Sequence, residues 1–358
     1  MRILILSDGY LYCGGYSSIA LKIYNNLKKL QDTYLKLYTL IFKNEISNEN
    51  EIFIDNFNIN EDKINTIFEP IFKDDTFEKI ICTSPWSFNF ASYYFKNSKI
   101  IYIKGGGLMG GKSIMDLENK FIYDVNVNDF LDGYTSNIEN DAIQKINEDN
   151  YVVLPTTKIM YHILNNNGIL KFQKNKILEP LNYYYYENYY LRRRELQKEF
   201  DLIFAISDHS RIVKNSKLVY ELFKKNNNLK KIVIGRNCEF YENLENTIVI
   251  NKNINFEELF NYFKKSKILL IPSFFDTGPS TLIEGIICGC IPICYKNCGY
   301  SKQSIGCEVM DNLNIDDWNT RIRNVLNNHD VNNNIIYSNK INRLILSDKK
   351  KFEELLIH

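Results

Sequence analysis

Two doubly wound α/β domains facing a cleft form the fold class this sequence predicts, and three observations predict it. Short apolar runs recur along both halves, separated by stretches of helical periodicity. A glycine pair, Gly14 and Gly15, follows the first run, and a second strand and helix series restarts near residue 200. At 358 residues the chain is long for one core, and two domains of about 150 to 200 residues are expected.

The first domain is expected over residues 1–179. Met1 to Ser7 reads as a strand, then come the glycine loop and a helix, SIALKIYNNLKKL, with apolar residues at three and four spacing. This is a Rossmann-type opening. Further apolar runs at Leu35 to Phe42, Lys79 to Cys82, Lys99 to Ile103 and Tyr151 to Leu154 alternate with helical patterns, which argues a parallel sheet with helices on both faces.

A linker is expected over 180–199. Its mixture of tyrosines and arginines suits either a stacking platform for single-stranded nucleic acid or a bridging interdomain segment, and the bridging segment is the expectation. The second domain, 200–336, has strands at Asp201 to Ile206, Lys231 to Gly235, Thr247 to Ile250, Lys267 to Pro272 and Ile291 to Tyr295. A closing helix over 337–358 is expected to pack back on the first domain.

Composition excludes several classes of function. Forty-four basic and 43 acidic residues leave a net charge of +1, so no global field draws the chain to nucleic acid or an anionic membrane. The N-terminal stretch has no cleavage site, and no run reaches the roughly 18 apolar residues of a membrane span. A cytoplasmic protein is expected. Eight cysteines contain no CxxC pair and four histidines are scattered, so buried free thiols are the main reading and a zinc site the minor one.

The most informative segment is KILLIPSFFDTGPSTLIEGIICGC, Lys267 to Cys290. It reads as a buried strand, a turn at Gly278 and Pro279, and a helix starting at Ser280. A helix N-terminus carries unpaired N–H groups and partial positive charge, which suits a diphosphate. Asp276 and Glu284 frame it. Carboxylates beside an anion site would repel the anion, so they are expected to accept hydrogen bonds from hydroxyls of whatever carries the diphosphate. A nucleotide sugar has hydroxyls at both ends.

This order of features resembles the family-4 glycosyltransferases of the GT-B fold. The resemblance spans nearly the whole chain but is specific only in its second half. Pro272, Ser273, then Asp276 through Glu284, then Cys288, Gly289, Ile291 and Pro292 stand where the family has its late signature. Asp276 departs from the usual Glu. A side chain one methylene shorter sits about 1 Å further from the sugar hydroxyl, which shifts donor choice or demands a bridging water.

The resemblance implies that Asp276 holds hydroxyls of the transferred sugar and Glu284 those of the ribose. The N–H groups of Ser280 and Thr281, with the Ser280 hydroxyl, would hold the distal phosphate, and Gly278 is a further donor-binding candidate. Lys214 and Arg211 would neutralise the departing diphosphate, although the usual spacing from Lys214 lands on His209. Gly235 would permit close backbone approach, and Arg236 or Asn237 would reach the nucleotide or serve as turn residues. Gly14 and Gly15 would bring backbone amides to the sugar phosphate or acceptor. Lys104 stands at a strand end where many relatives carry a histidine near the transferred sugar, so it would either contact that sugar or be a simple strand-end lysine.

The resemblance thus implies a glycosyltransferase taking a UDP- or GDP-linked sugar as donor and a glycan, protein or lipid as acceptor. Retention of anomeric configuration is implied, with no metal and no cofactor beyond the donor. Two other readings stay open: a catalytically silent sugar-nucleotide-binding domain, and a P-loop NTPase. The second rests on Gly106 to Ser113, GGLMGGKS, which matches G-x4-G-K-[ST] after an apolar strand, with Lys112 on the terminal phosphate and Ser113 on Mg²⁺.

Overall fold

In the computed structural model, residues 1–8, 15–30, 32–41, 51–54, 60–104, 137–146, 148–157, 160–161, 197–300, 305–328 and 331–357 are described. They divide into two compact units. The first unit takes in the described residues up to 161 together with the chain from Asp348 on, and the second the described residues from 197 to Ser347.

The sheet of the first unit comprises β1 (Arg2–Asp8), β2 (Tyr34–Ile41), β3 (Glu51–Phe53), β4 (Lys79–Cys82), β5 (Lys99–Lys104) and β6 (Tyr151–Pro155). All pairings are parallel, in the order β3-β2-β1-β4-β5-β6. Among the described residues four helices accompany it: α1 (Gly15–Leu27), α2 (Glu61–Phe72), α3 (Pro85–Tyr94) and α4 (Asn137–Lys145). Local signals set the helix starts. Asn60 caps α2 by accepting from the Lys63 amide, with Glu61 and Asp62 in the first turn; Ser84 and Ser87 form a reciprocal capping box at α3, with Pro85 behind the cap. Ile64, Phe68 and Phe72 make the buried stripe of α2, and the rings of Phe68 and Phe72 pack edge to face 5.2 Å apart.

The second unit repeats this topology. Its strands are β7 (Phe200–Asp208), β8 (Lys231–Arg236), β9 (Thr247–Ile250), β10 (Ser266–Ile271), β11 (Ile291–Tyr295) and β12 (Glu308–Met310). They are again all parallel, ordered β12-β11-β10-β7-β8-β9. Counted from β7, this is the same order as in the first sheet. Both units are therefore Rossmann-like, as expected of the GT-B fold class, and in each the strand order reverses beside the first strand.

Among the described residues the helices of the second unit are α5 (Ser216–Lys225), α6 (Phe256–Lys264), α7 (Ser280–Ile287), α8 (Ile315–Asn327) and α9 (Val331–Ile357). The last of these continues from Asp348 into the first unit, where the Leu355 carbonyl accepts from Lys79 Nζ at 3.4 Å. On α5, Leu218, Val219, Leu222 and Phe223 are buried against the sheet; fully burying one such side chain stabilises by about 1.5–3 kcal/mol. Asn215, Asn255 and Asn314 cap α5, α6 and α8 with their side-chain oxygens.

Where the expected strands and the observed ones differ, the omissions are β3 and β12. Each is three residues long and lies at a sheet edge, too short for a period of two to register. No helix of the described residues is long and apolar enough to cross a membrane.

Candidate active site

Ligands of doubly wound sheets bind outside the carboxyl ends of the strands, where the order reverses. In the second unit that place lies between β7 and β10, which are hydrogen-bonded neighbours. The chain leaving β7 turns through a short 3₁₀ segment, Ile212–Lys214, and the chain leaving β10 runs through 272–279 into α7. The Phe274 amide donates to the Val213 carbonyl at 2.9 Å, and Asn215 Nδ2 donates to the Pro272 carbonyl at 3.3 Å. These bonds fix the two loops against each other.

The fastening brings Lys214 and Asp276, distant in sequence, into an ion pair between Nζ and Oδ2. The side chains are 17% and 14% exposed, so the pair is partly shielded yet reachable. The other carboxylate oxygen of Asp276 accepts from the Gly278 amide at 3.1 Å, an Asx-type turn. The Asp276 backbone is itself clamped, because its N–H donates to the Asn297 carbonyl at 3.2 Å and its C=O accepts from Gly299 at 2.8 Å. Beneath lies Cys298, 1% exposed, whose thiol burial pushes well above its ordinary pKa.

Just past Asp276, Pro279 precedes α7, so the helix begins with no side-chain cap and no acidic residue in its first turn. Among the described residues the amides of Ser280 and Thr281 have no acceptor, and both residues are half-buried. This end therefore presents donors and partial positive charge. Glu284, one turn further, is buried at 2% exposure. The next residue, Gly285, lets the helix lie close on β10, since a Cβ there would come within 2.6 Å of Leu269 Cδ2.

A second cluster stands at the ends of β7 and β8. Asp208 accepts from Ser210 Oγ at 2.6 Å, from the Ser210 amide at 3.0 Å and from Asn237 Nδ2 at 2.8 Å, and pairs with Arg236 at 3.3 Å. The Ser210 hydroxyl first, then the Asn237 amide, draws its carboxyl down to about 2. Asn237 adopts a left-handed conformation, φ 57°, as turn residues of its type do. So Asn237 is engaged by Asp208, while Arg236 keeps 58% of its side chain exposed.

The two cations expected around the leaving group fare differently. Lys214 is at the site, whereas Arg211 is an exposed residue preceding the 3₁₀ turn. His209 is buried, with its ring nitrogens 3.1 Å from the Ile234 carbonyl and 3.3 Å from Ser216 Oγ; burial lowers its pKa. A neutral imidazole packed against Phe204 and Tyr241 does not supply the missing charge.

In the first unit, the expectation that Lys104 contacts the sugar needs correcting. Its ammonium forms a 2.7 Å ion pair with Glu139 of α4, at 2% and 1% side-chain exposure, and Tyr102 also donates to that carboxylate. A lysine sealed this way ties α4 to the end of β5. Sequence spacing did not signal the pair, because α4 lies far along the chain. Gly15 opens α1; Gly14, the glycine-rich stretch Gly106 to Ser113 and most of the 180–199 linker lie outside the described residues.

Two Rossmann-like units make up the GT-B fold, and the second carries an ammonium, a carboxylate and an open helix N-terminus at its switch point. Residues 191–341 match the family described as glycosyl transferases group 1, and the second unit is a domain of that family. No curated protein sequence matches the chain. Among solved structures, the chain is similar to the lipopolysaccharide outer core galactosyltransferase WaaB in its apo form. That match has a TM-score of 0.64 and 13% identity, covering 100% of this chain and 99% of the other. Sucrose-phosphate synthase from Thermosynechococcus elongatus aligns with a TM-score of 0.65 and 10% identity over 99% of both chains. HepE from Anabaena, in complex with UDP, aligns with a TM-score of 0.55 and 11% identity over 99% of both chains. At these identities the likeness carries the fold.

Proposed function

We propose that the protein transfers a sugar from a UDP- or GDP-linked donor to a hydroxyl of a glycan, protein or lipid acceptor, with retention and without a metal. The observation that carries this reading is the pairing of Lys214 with Asp276 at the open N-terminus of α7, with Glu284 buried in the same helix. The ammonium and the amides of Ser280 and Thr281 suit the diphosphate, whose negative charge grows as the sugar departs. Asp276 then receives sugar hydroxyls and Glu284 those of the ribose. The UDP complex of HepE supports a nucleoside diphosphate as the leaving group.

Lys214 performs the service a divalent cation performs in other transferases, which is why a metal is not required. With the leaving group held on the face the acceptor approaches, its phosphate oxygen takes the acceptor proton and the anomeric configuration is kept.

The test is release of nucleoside diphosphate from a panel of UDP- and GDP-sugars, with candidate acceptors and with water alone. Release that persists in EDTA, with the product anomer matching the donor by NMR, is the expected result. Tight binding without any turnover would instead make the protein a silent sugar-nucleotide binder, and full loss of turnover in EDTA would overturn the metal-free mechanism.

A further inference from the structure

The partners of Lys214 bear on which nucleotide the site prefers, an inference that rests on the donor reading above. Among the described residues Lys214 Nζ has one acceptor, Asp276 Oδ2, and the remaining oxygen of that carboxylate is held by the Gly278 amide. A diphosphate oxygen seeking Lys214 therefore meets a carboxylate already on it. The Asp276 backbone is clamped on both sides by the loop after β11, so the carboxylate cannot withdraw from the site with its main chain.

We propose that Asp276 competes with the diphosphate for Lys214 and thereby makes the site select the sugar-bearing donor over the spent nucleotide. When the donor enters, Lys214 exchanges carboxylate for phosphate and Asp276 exchanges ammonium for sugar hydroxyls, so every polar group keeps a partner. The spent nucleotide brings no sugar hydroxyls. It also carries more negative charge on its terminal phosphate, which then faces Asp276. Lys214 can be taken only by leaving that carboxylate beside a like charge, and the nucleotide is driven off. Asp276 is thus a specificity determinant between donor and product, in addition to a contact for the sugar.

Titration calorimetry of the full chain with UDP, GDP, UDP-glucose and GDP-mannose tests this in the wild type, Asp276→Asn and Asp276→Glu. Asp276→Asn removes the competing charge at nearly constant shape. It is expected to bind the spent nucleotide about tenfold more tightly than the wild type, with no gain for the sugar nucleotide, so that the preference collapses. Asp276→Glu retains the charge and is expected to retain the preference. Unchanged or weaker binding of the spent nucleotide by Asp276→Asn, or loss of the preference in Asp276→Glu as well, would overturn the proposal. If the wild type binds none of the four probes, the donor reading falls and this inference with it; binding with an unaltered preference in Asp276→Asn sinks the inference alone.

Discussion

Gly235 lies directly against the backbone of Ile206: a Cβ built on it would stand 2.0 Å from the Ile206 carbonyl oxygen and 3.0 Å from Cδ2 of His209. The contact arises because β7 changes register against β8 between Ala205 and Asp208, which pushes the strand end towards Gly235. Gly235 also has φ +142°, a region costly for other residues. Gly235→Ala is therefore expected to lower stability by about 3 kcal/mol, read as a drop in the urea midpoint. A variant as stable as the wild type would mean the strand ends pack otherwise.

Glu139→Gln should destabilise the first unit, because it breaks the sealed pair with Lys104. Breaking a buried pair from one side costs about 3–5 kcal/mol, whereas replacing both partners with apolar groups of similar volume is often neutral. The double variant Lys104→Met with Glu139→Leu should recover most of the loss in thermal unfolding. Recovery would also separate packing from catalysis, since donor binding should survive in the double variant.

Asp8, at the carboxyl end of β1, supplies a pH dependence. Burial raises its carboxyl to about 6, against the lowering effect of a hydrogen bond with Ser84. Between the ordinary carboxylate range and pH 6 the folded chain holds more protons than the unfolded one, so this group's contribution to stability falls as pH rises across that window and is level above it. The shift from 3.8 to about 6 corresponds to roughly 3 kcal/mol. Asp8→Asn should remove this slope and raise the melting temperature at pH 7 relative to wild type while changing little at pH 4. Parallel profiles for the two proteins would contradict the assignment.

Steady-state kinetics should separate the roles of Lys214 and Glu284. Lys214→Ala is expected to lower kcat by about a hundredfold with a much smaller change in KM, since its charge matters most as the diphosphate departs. Glu284→Ala, which removes a buried acceptor for ribose hydroxyls, should weaken donor binding by about tenfold. Near-normal transfer by both variants would remove the site assignment.

Much of this arrangement is legible in the sequence. The strand, loop and helix of 267–290 stand out because the apolar run, the Gly278–Pro279 turn and the carboxylates eight residues apart are all local signals. Other features depend on tertiary contact. Lys214 meets Asp276 because the Phe274 to Val213 and Asn215 to Pro272 bonds join their loops, and Lys104 meets Glu139 only when α4 packs down. Arg211 shows the limit in the other direction: it has the right chemistry near the right place, yet the turn leaves it exposed and buries His209 instead.

The most direct measurement is a crystal structure of the protein soaked with a UDP- or GDP-sugar. The account predicts the distal phosphate about 3 Å from Lys214 Nζ and the amides of Ser280 and Thr281, with ribose hydroxyls on Glu284 and sugar hydroxyls on Asp276. Density for the nucleotide against Lys112, or anywhere away from the 276–284 turn, would contradict it.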